Sequence, residues 1–231
     1  MTDIRKKLQT VTLGCSKNKV DTEHILSQVE NLYEIIPEGE DIPVDILLIN
    51  TCGFIGDAKE ESIQAVLEGV DRKMRGEVGK VIVFGCLSQR YASDMPELIP
   101  EVDAWFGARE FDPVIRDLGA EPSAEKRVER HLTAPSHYAY LKISEGCDRR
   151  CSYCAIPFIR GAHKSVPMED LVAEARSLAE KGVRELIIIA QDTTYYGLDL
   201  YRRRALAELL QKLSEVDGIE WIRIHYSYPA A

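Results

Sequence analysis

The chain has 231 residues, of which 45% are apolar and 29% charged, and its formal net charge is −9. This length can bury a sizeable core and suggests one or two domains. No stretch approaches the roughly 18 apolar residues of a membrane span, and the N-terminus lacks the apolar core of a signal peptide. We therefore expect a cytoplasmic protein with no membrane partner.

The negative charge lies in the first half of the chain. Residues 1–120 carry 13 Lys and Arg against 22 Asp and Glu, whereas residues 121–231 carry 16 of each. An acidic half is poorly suited to binding nucleic acid by itself and better suited to a basic partner. We therefore expect no direct contact with nucleic acid.

The first half alternates strand-like and helical patterns. Apolar strand-like stretches lie at about 8–13, 44–50, 81–85 and 102–107. Apolar residues at helical spacing predict helices over 20–32 and 58–70. This alternation predicts the α/β class, with an N-terminal, doubly wound parallel sheet domain over residues 1–120.

The second half begins after the polar segment 121–136, which contains Pro122 and Pro135 and is the predicted linker. Three strand-like segments then alternate with two helical patterns over residues 137–231. This order predicts the first part of a parallel β/α barrel, which is a truncated, TIM-like barrel.

Three cysteines are far apart in the sequence, yet each ends a strand-like stretch and has a glycine beside it; they are Cys15, Cys52 and Cys86, with Gly14, Gly53 and Gly85. Since sites in parallel sheets form outside the carboxyl ends of the strands, we expect the three thiols to meet. The glycines would let the backbone turn sharply and approach a bulky cluster. Soft thiolates suit iron–sulfur clusters or zinc, and the alternative is three cysteines packed as small apolar residues.

The other three cysteines form a compact C-x3-C-x2-C run, Cys147, Cys151 and Cys154. In a reducing cytosol, cysteines are more often metal ligands or catalytic groups than disulfides. Structural zinc normally takes four ligands, and only His163 is available as a nearby fourth, so zinc is the minor alternative. Three thiolates can instead hold three irons of a four-iron cube and leave the fourth iron open.

This run, with Tyr153 before its last cysteine, resembles the radical S-adenosylmethionine signature. Together with the preceding cysteine-bearing domain, essentially the whole chain resembles the radical S-adenosylmethionine methylthiotransferases. LGCSKNKVDTEHIL, EGCDRRCSYCAIPFIRGAHKS and AQDTTYYGLDLY resemble the branch that modifies the β-carbon of an aspartate of ribosomal protein S12. The alternative branch modifies isopentenylated adenosine in tRNA and typically shows G-C-Q-x-N and G-Q-N-V-N segments.

The resemblance implies two 4Fe–4S clusters and S-adenosylmethionine as cofactors. One cluster, bound by Cys147, Cys151 and Cys154, would generate a 5′-deoxyadenosyl radical from S-adenosylmethionine. The auxiliary cluster, bound by Cys15, Cys52 and Cys86, would deliver the sulfur. The resemblance also implies ribosomal protein S12 as a basic protein substrate and an electron donor such as a flavodoxin or ferredoxin.

Four further residues are predicted to bind S-adenosylmethionine or a substrate carboxylate: Tyr153, Arg160, Gln191 and Asp192. Tyr153 is expected along the adenine, and Gln191 and Asp192, at a barrel strand end, near the methionine amino group. Arg160 can hold a carboxylate through two hydrogen bonds. The alternative for Tyr153 is a place in the core, and for Arg160 it is packing on the surface. For Gln191 and Asp192 the alternative is hydrogen bonding to the backbone.

Two asparagines, Asn18 and Asn50, flank the scattered triad and are expected to donate hydrogen bonds near its cluster, with local turn bonding as the alternative.

Members of the family continue past residue 231, completing the barrel and adding a small β domain. The present chain is therefore expected to be a fragment with doubtful activity and an exposed parallel strand at about 221–228. Two alternatives come from other functional classes. One is an electron-transfer or cluster-carrier protein, and the other is a zinc-stabilised binding module on the ribosome.

Overall fold

A computed structural model describes residues 5–133 and 137–228. The chain divides into two compact units, Met1–Ala124 and Glu125–Ala231. This division falls inside the predicted linker 121–136. Residues 134–136 of that linker lie outside the described residues.

The first unit is a parallel α/β sheet, as predicted. Its elements are β1 (Lys6–Thr12), α1 (Ser16–Val29), β2 (Tyr33–Ile36), β3 (Val44–Thr51), α2 (Gly56–Met74), β4 (Val78–Gly85), α3 (Cys86–Arg90), α4 (Met95–Leu98), β5 (Ala104–Trp105) and α5 (Phe111–Asp117). The strand order is β2-β1-β3-β4-β5, and all pairs are parallel. Because the chain moves from β1 outward to β2 and then returns to β3, the sheet order reverses between β1 and β3.

Both faces of this sheet are covered, which explains the unbroken apolar runs of its strands. Along β3, Ile46 and Leu48 face α1 and α5, whereas Leu47 and Ile49 face α2. Successive side chains of a strand alternate between faces, so each residue of such a strand has a core to enter. The apolar content of the sequence is thus divided between two core layers.

Two strands differ from the sequence-based prediction, and the helices α3, α4 and α5 were not predicted. The edge strand β2 was not predicted, because its four residues include the exposed Glu34 and form a strand only by pairing with Lys6–Gln9 of β1. The strand predicted at 102–107 is restricted to Ala104–Trp105. Short edge strands have too few residues to show a period in the sequence.

The second unit contains a parallel three-stranded sheet of order β10-β9-β6. Its elements are a 3-10 turn (Glu125–Val128), β6 (Tyr138–Lys142), β7 (Ser144–Glu145), α6 (Ile156–Arg160), β8 (Lys164–Ser165), α7 (Met168–Glu180), β9 (Glu185–Ile189), a second 3-10 turn (Thr193–Tyr195), α8 (Leu206–Ser214) and β10 (Trp221–Ile224). The predicted alternation β6-α7-β9-α8-β10 is confirmed. The antiparallel pair β7–β8 was not predicted.

The strand β10 lies at the edge of this sheet and is largely exposed, as expected. Trp221 at its start has 70% of its surface exposed. Ile224, Tyr226 and Tyr228 are also exposed.

None of the helices in the two described stretches has the length and apolar character that a membrane crossing requires.

The buried centre of β3 should dominate the stability of the first unit. Leu48 is fully buried in the core between the sheet and α1, whereas Leu67 of α2 is 42% exposed. We expect Leu48→Ala to lower the free energy of unfolding by about 2–5 kcal/mol, through lost burial and a residual cavity.

The control is Leu67→Ala, which should change the same free energy by less than about 1 kcal/mol. Urea unfolding can be followed by Trp105 fluorescence in a Trp221→Phe background, so that the signal comes from the first unit. Equal effects of the two substitutions would contradict the assigned core.

Candidate functional site

The scattered cysteines come together at one edge of the first sheet. Cys15 follows β1, Cys52 follows β3 and Cys86 is the first residue of α3, directly after β4. Because β1, β3 and β4 are neighbours in the sheet, the three thiols lie at the carboxyl ends of three adjacent strands. This placement was expected from the sequence, while the role of the thiols as metal ligands stays a prediction.

Asn18, in the first turn of α1, ties these strand ends together. Its side-chain Nδ2 donates to the carbonyl oxygens of Leu13, at 2.8 Å, and Thr51, at 3.1 Å. Its Oδ1 lies 3.9 Å from Cys86 Sγ. Asn50 Nδ2 in turn donates to the Asn18 carbonyl at 2.8 Å. The Asn50 side chain thus bonds to α1, which is distant in sequence, and not within a local turn, and its role at the cluster stays a prediction.

The glycines beside the cysteines allow the cysteine loops to pack against one another. A Cβ on Gly14 would lie 2.6 Å from Cys52 Cβ and 2.8 Å from Cys52 Sγ. A Cβ on Gly53 would lie 2.9 Å from the carbonyl oxygen of Cys86. Gly14 also has φ of +90°, which L residues rarely adopt. The glycines were expected to make room for a cluster; the described neighbours of Gly14 and Gly53 belong to the adjacent cysteine loops, and those of Gly85 are Asn50 and Thr51 of β3.

Ser62 of α2 was not identified from the sequence, yet it fixes the Cys52 backbone from both sides. The Cys52 N–H donates to Ser62 Oγ, and Ser62 Oγ donates to the Cys52 carbonyl oxygen, both at 2.9 Å. Ser62 is fully buried. A single serine inside a helical pattern carries no signal of such a contact, because the contact depends on how α2 packs against the end of β3.

The chemistry of the cysteine side chains fits an iron–sulfur group. All six cysteines are thiols. Within residues 5–133 and 137–228, no three His, Cys, Asp or Glu side chains are grouped closely enough to hold one metal ion. The soft sulfur donors and the close-packed glycine loops suit an iron–sulfur group.

The compact triad lies in the loop between β7 and α6, where Cys147, Cys151 and Cys154 are half-buried. The loop begins tightly against residues 161–162: the Cys147 N–H donates to the Gly161 carbonyl at 3.0 Å. Burial raises the pKa of the Cys147 thiol. A thiol with a raised pKa keeps its proton in the absence of a metal, and it loses that proton when it coordinates one.

The exposed aromatic ring of this loop is Tyr153, which has 86% of its surface exposed. It is therefore not the core aromatic that was the alternative to the adenine contact. The contact with adenine itself stays a prediction.

Glu145, which the sequence did not single out, accepts hydrogen bonds from four residues beside the cysteine loop, and this group is called the hub. Its Oε1 accepts from Gln191 Nε2 at 2.6 Å and from the Gly146 N–H at 3.1 Å. Its Oε2 accepts from Lys142 Nζ at 2.8 Å and from Arg160 Nη1 at 3.1 Å. Burial acts to raise the pKa of Glu145, but Lys142 and Arg160 outweigh burial and hold this pKa at about 2.

This hub involves two of the predicted cofactor-binding residues. Arg160 was expected to hold a carboxylate of the cofactor or substrate, and it forms an ion pair with the carboxylate of Glu145. Gln191 lies just beyond the end of β9, as predicted. Its side-chain Oε1 is buried and has no hydrogen-bond partner among the residues that the structure describes.

Asp192, the fourth predicted contact, anchors the cysteine loop and its own turn. It accepts from Arg149 Nε at 2.5 Å and from the N–H of Thr194 at 3.0 Å. Arg149 lies inside the cysteine run, and its guanidinium stands 3.6 Å from the ring centre of Tyr228 and 4.8 Å from that of Tyr195. The structure thus gives Asp192 a positioning role, and its contact with the methionine amino group stays a prediction.

His163, the possible fourth zinc ligand, takes part in a separate hydrogen-bonded group. Its Nε2 lies 3.0 Å from Ser165 Oγ, and Ser165 Oγ donates to Asp199 at 2.6 Å. Its backbone N–H donates to Asp148 of the cysteine run at 3.1 Å. The described contacts therefore give His163 a part in supporting the loop.

Two family models match the chain. Residues 7–107 match "Uncharacterized protein family UPF0004". Residues 141–230 match the radical SAM superfamily. The two matched segments contain the scattered and the compact cysteine triad, respectively.

Curated relatives match nearly the whole chain. A protein of Bacteroides thetaiotaomicron is 51% identical over 227 residues, which are 98% of this chain and 52% of the relative. A protein of Christiangramia forsetii is 53% identical over 226 residues, 97% of this chain and 50% of the relative. Both are named ribosomal protein uS12 methylthiotransferase RimO. The chain thus spans about half the length of the curated relatives it matches.

Solved structures support the fold. The radical S-adenosylmethionine methyltransferase TsrM of Kitasatospora setae, with tryptophan and a cofactor analogue bound, matches with a TM-score of 0.58 at 12% identity, over 90% of this chain and 50% of that one. The cobalamin-dependent radical enzyme OxsB matches with a TM-score of 0.56 at 13% identity, over 91% of this chain and 37% of that one. At these identities the likeness concerns the fold alone.

The contact between Gly14 and Cys52 leads to a test of the scattered triad. In Gly14→Ala the new methyl group would occupy the space of Cys52 Cβ and Sγ, so we expect the variant to lose the metal bound by that triad. Iron per chain, measured after anaerobic reconstitution, should fall to about half of the wild-type value.

Gly39→Ala is the matched control, because Gly39 has almost the same φ, +89°, but no atom within 4 Å of the position that the new methyl group would take. It carries the same backbone strain without the clash, and it should keep the wild-type iron content. Equal loss of iron in both variants would mean that backbone strain, and not the contact with Cys52, is responsible.

Proposed function

This chain belongs to the family of radical S-adenosylmethionine methylthiotransferases, and we propose that the protein inserts a methylthio group at the β-carbon of an aspartate of ribosomal protein S12. The observation that carries the proposal is the placement of Cys15, Cys52 and Cys86 at the ends of three adjacent strands. The compact triad lies in the other unit. The presence of both triads distinguishes a methylthiotransferase from a radical enzyme with a single cluster.

The six cysteines divide the cofactors between the two units. Cys147, Cys151 and Cys154 would hold one 4Fe–4S cluster, to which S-adenosylmethionine binds, and Cys15, Cys52 and Cys86 would hold the auxiliary one. When bound, these groups supply the radical that removes a hydrogen from the substrate carbon and the sulfur that replaces it.

The residues of this chain supply positioning. The Arg149–Asp192 ion pair and the stacking of Arg149 on Tyr195 and Tyr228 hold the middle of the cysteine loop. Glu145 holds its start through the Gly146 N–H. The exposed ring of Tyr153 can lie along the adenine of S-adenosylmethionine. Fixed ligands limit the motion of a cofactor, and in such enzymes positioning is the main task of the protein.

Charge and resemblance together support the choice of substrate. Residues 1–120 carry 22 acidic against 13 basic side chains, which favours encounter with a basic protein over nucleic acid. The curated relatives described above are named for uS12. We propose an electron donor such as a flavodoxin or ferredoxin, and the cytoplasm as the place of the reaction.

Iron and acid-labile sulfide per chain test the cofactor assignment. Wild type should contain about eight irons after anaerobic reconstitution, and each triple variant, Cys15/Cys52/Cys86→Ala and Cys147/Cys151/Cys154→Ala, about four. Each variant serves as the control for the other. Iron lost only from the second variant would leave a radical enzyme without an auxiliary cluster, and zinc in place of iron would rule out the proposal.

The substrate is tested on a longer protein, because the chain spans about half of its relatives. Residues 1–231 can be continued by the part of the Bacteroides thetaiotaomicron relative that follows its match. With reductant and S-adenosylmethionine, this protein should add a methylthio group to an aspartate of S12, detected by peptide mass spectrometry. Modification of isopentenylated tRNA instead would assign the chain to the other branch.

A further inference from the structure

A cavity of about 180 Å³ lies in the first unit, where the chain leaves β4 and β5 at their carboxyl ends. It is smaller than the roughly 300–1,000 Å³ of sites that enclose a whole drug-sized ligand, so it has room for a single side chain. Gln89, which lines it, belongs to α3, the helix that begins with Cys86. The cavity is thus about one helical turn from a cysteine of the scattered triad.

Two side-chain oxygens meet at one wall of this cavity, beside Gly107. A Cβ on Gly107 would lie against Gln89 Oε1 and 3.1 Å from Glu110 Oε2. The Gly107 N–H donates to Glu110 Oε2 and holds the carboxylate in this place. Carboxylate and amide oxygens only accept hydrogen bonds. This wall therefore suits a group that carries several N–H donors and a positive charge.

The other walls suit the stem and the flat face of such a group. They include Met95, Pro96, Trp105 and Phe106. The methylene groups of a long basic side chain can pack on apolar residues while its charged head reaches a polar group. Aromatic rings attract a cation over their faces, and tryptophan does so most strongly. An alkyl stem with a cationic head describes the side chains of arginine and lysine.

The indole of Trp105 adds a need for an acceptor. Its Nε1 is buried and has no hydrogen-bond partner among the residues that the structure describes. Native proteins rarely leave a buried donor without an acceptor. A free amine or guanidine brings no acceptor, whereas a peptide brings carbonyl oxygens together with its basic side chain. The two needs together favour a peptide segment as the ligand.

We propose that this cavity holds an arginine or lysine side chain of the basic protein substrate, ribosomal protein S12, and anchors that protein beside the scattered triad. This inference rests on the proposed function and deepens it, because it names a place where the substrate binds. The excess of acidic side chains in residues 1–120, 22 against 13 basic ones, attracts a basic protein from a distance. A pocket for one side chain then fixes its position.

The experiment measures the affinity of S12, by biolayer interferometry, for the longer protein described above after iron reconstitution. Wild type is compared with Glu110→Gln, Gly107→Ala and the control Glu97→Gln. Glu97 is exposed on α4, next to Pro96, but lies outside the lining of the cavity. Its exchange therefore removes the same charge as Glu110→Gln without changing the proposed site.

Glu110→Gln keeps an acceptor for the Gly107 N–H but loses the negative charge that faces the cation. We expect about tenfold weaker binding of S12, as for loss of a hydrogen bond to a charged group. Gly107→Ala places a methyl group between Gln89 and Glu110, and Gly107 has no left-handed φ that would strain an alanine. It should weaken binding by about tenfold or more. Glu97→Gln should change the affinity by less than about twofold.

A double-mutant cycle with S12 identifies the side chain in the cavity. One Arg or Lys of S12 at a time is replaced by Met, which keeps an unbranched apolar stem without the charge. For the residue in the cavity, we expect a loss of about tenfold with wild type and of less than about twofold with Glu110→Gln. Basic residues of S12 outside the cavity should cost the same with both proteins.

The outcomes separate the inference from the proposed function. Failure of the longer protein to modify S12 would contradict the proposed function, and the inference with it. Modification of S12 without measurable binding would overturn the inference alone. Equal effects of Glu110→Gln and Glu97→Gln, or additive effects for every basic residue of S12, would do the same, because general charge attraction would then account for binding.

Iron content and the emission of Trp105 in a Trp221→Phe background show whether each variant is folded. Unchanged affinity in folded Gly107→Ala would also overturn the inference, because the cavity would then be unused. If Gly107→Ala loses its iron, Glu110→Gln and the cycle with S12 decide.

Discussion

The parallel register of β1, β3 and β4 is the constraint on which the first unit depends. Thr12 pairs with Asn50, and Thr51 pairs with Gly85, so Cys52 and Cys86 directly follow residues that are already paired. A slip by one residue would turn every side chain of a strand to the opposite face of the sheet. On β3, Ile46 and Leu48 pack in one core layer and Leu47 and Ile49 in the other, so the fit of these side chains to two different layers selects the register that brings the cysteines together.

Close packing at the strand ends depends on this register. Gly14 and Gly53 leave no room for a side chain against the neighbouring cysteine loops. Asn18 donates hydrogen bonds to carbonyl groups at the ends of two strands and so links those ends. The candidate metal site is thus continuous with the packing of the sheet, and a change in that packing would move the thiols.

The second unit holds its cysteines by a different means. Its three cysteines are close in sequence, so no strand pairing is needed to bring them near one another, but their loop has to be fixed in space. Charged side chains do this: Glu145 holds the start of the loop, and Arg149, paired with Asp192, holds its middle. Charge-assisted hydrogen bonds are stronger and more directional than neutral ones, which suits the orientation of a loop.

The sequence by itself determined the α/β class, the helices α1, α2, α7 and α8, the central strands and both cysteine triads, because period, cysteine spacing and strand-end position are local properties of a chain. It did not reveal β2, Ser62 or the hub at Glu145. A four-residue edge strand exists only through its partner, and a serine or glutamate acquires its role from residues distant in sequence. Gln191 was predicted from its place after a strand. Which of its amide atoms faces Glu145 was decided by the tertiary structure, because only there does a carboxylate occupy one side of the amide.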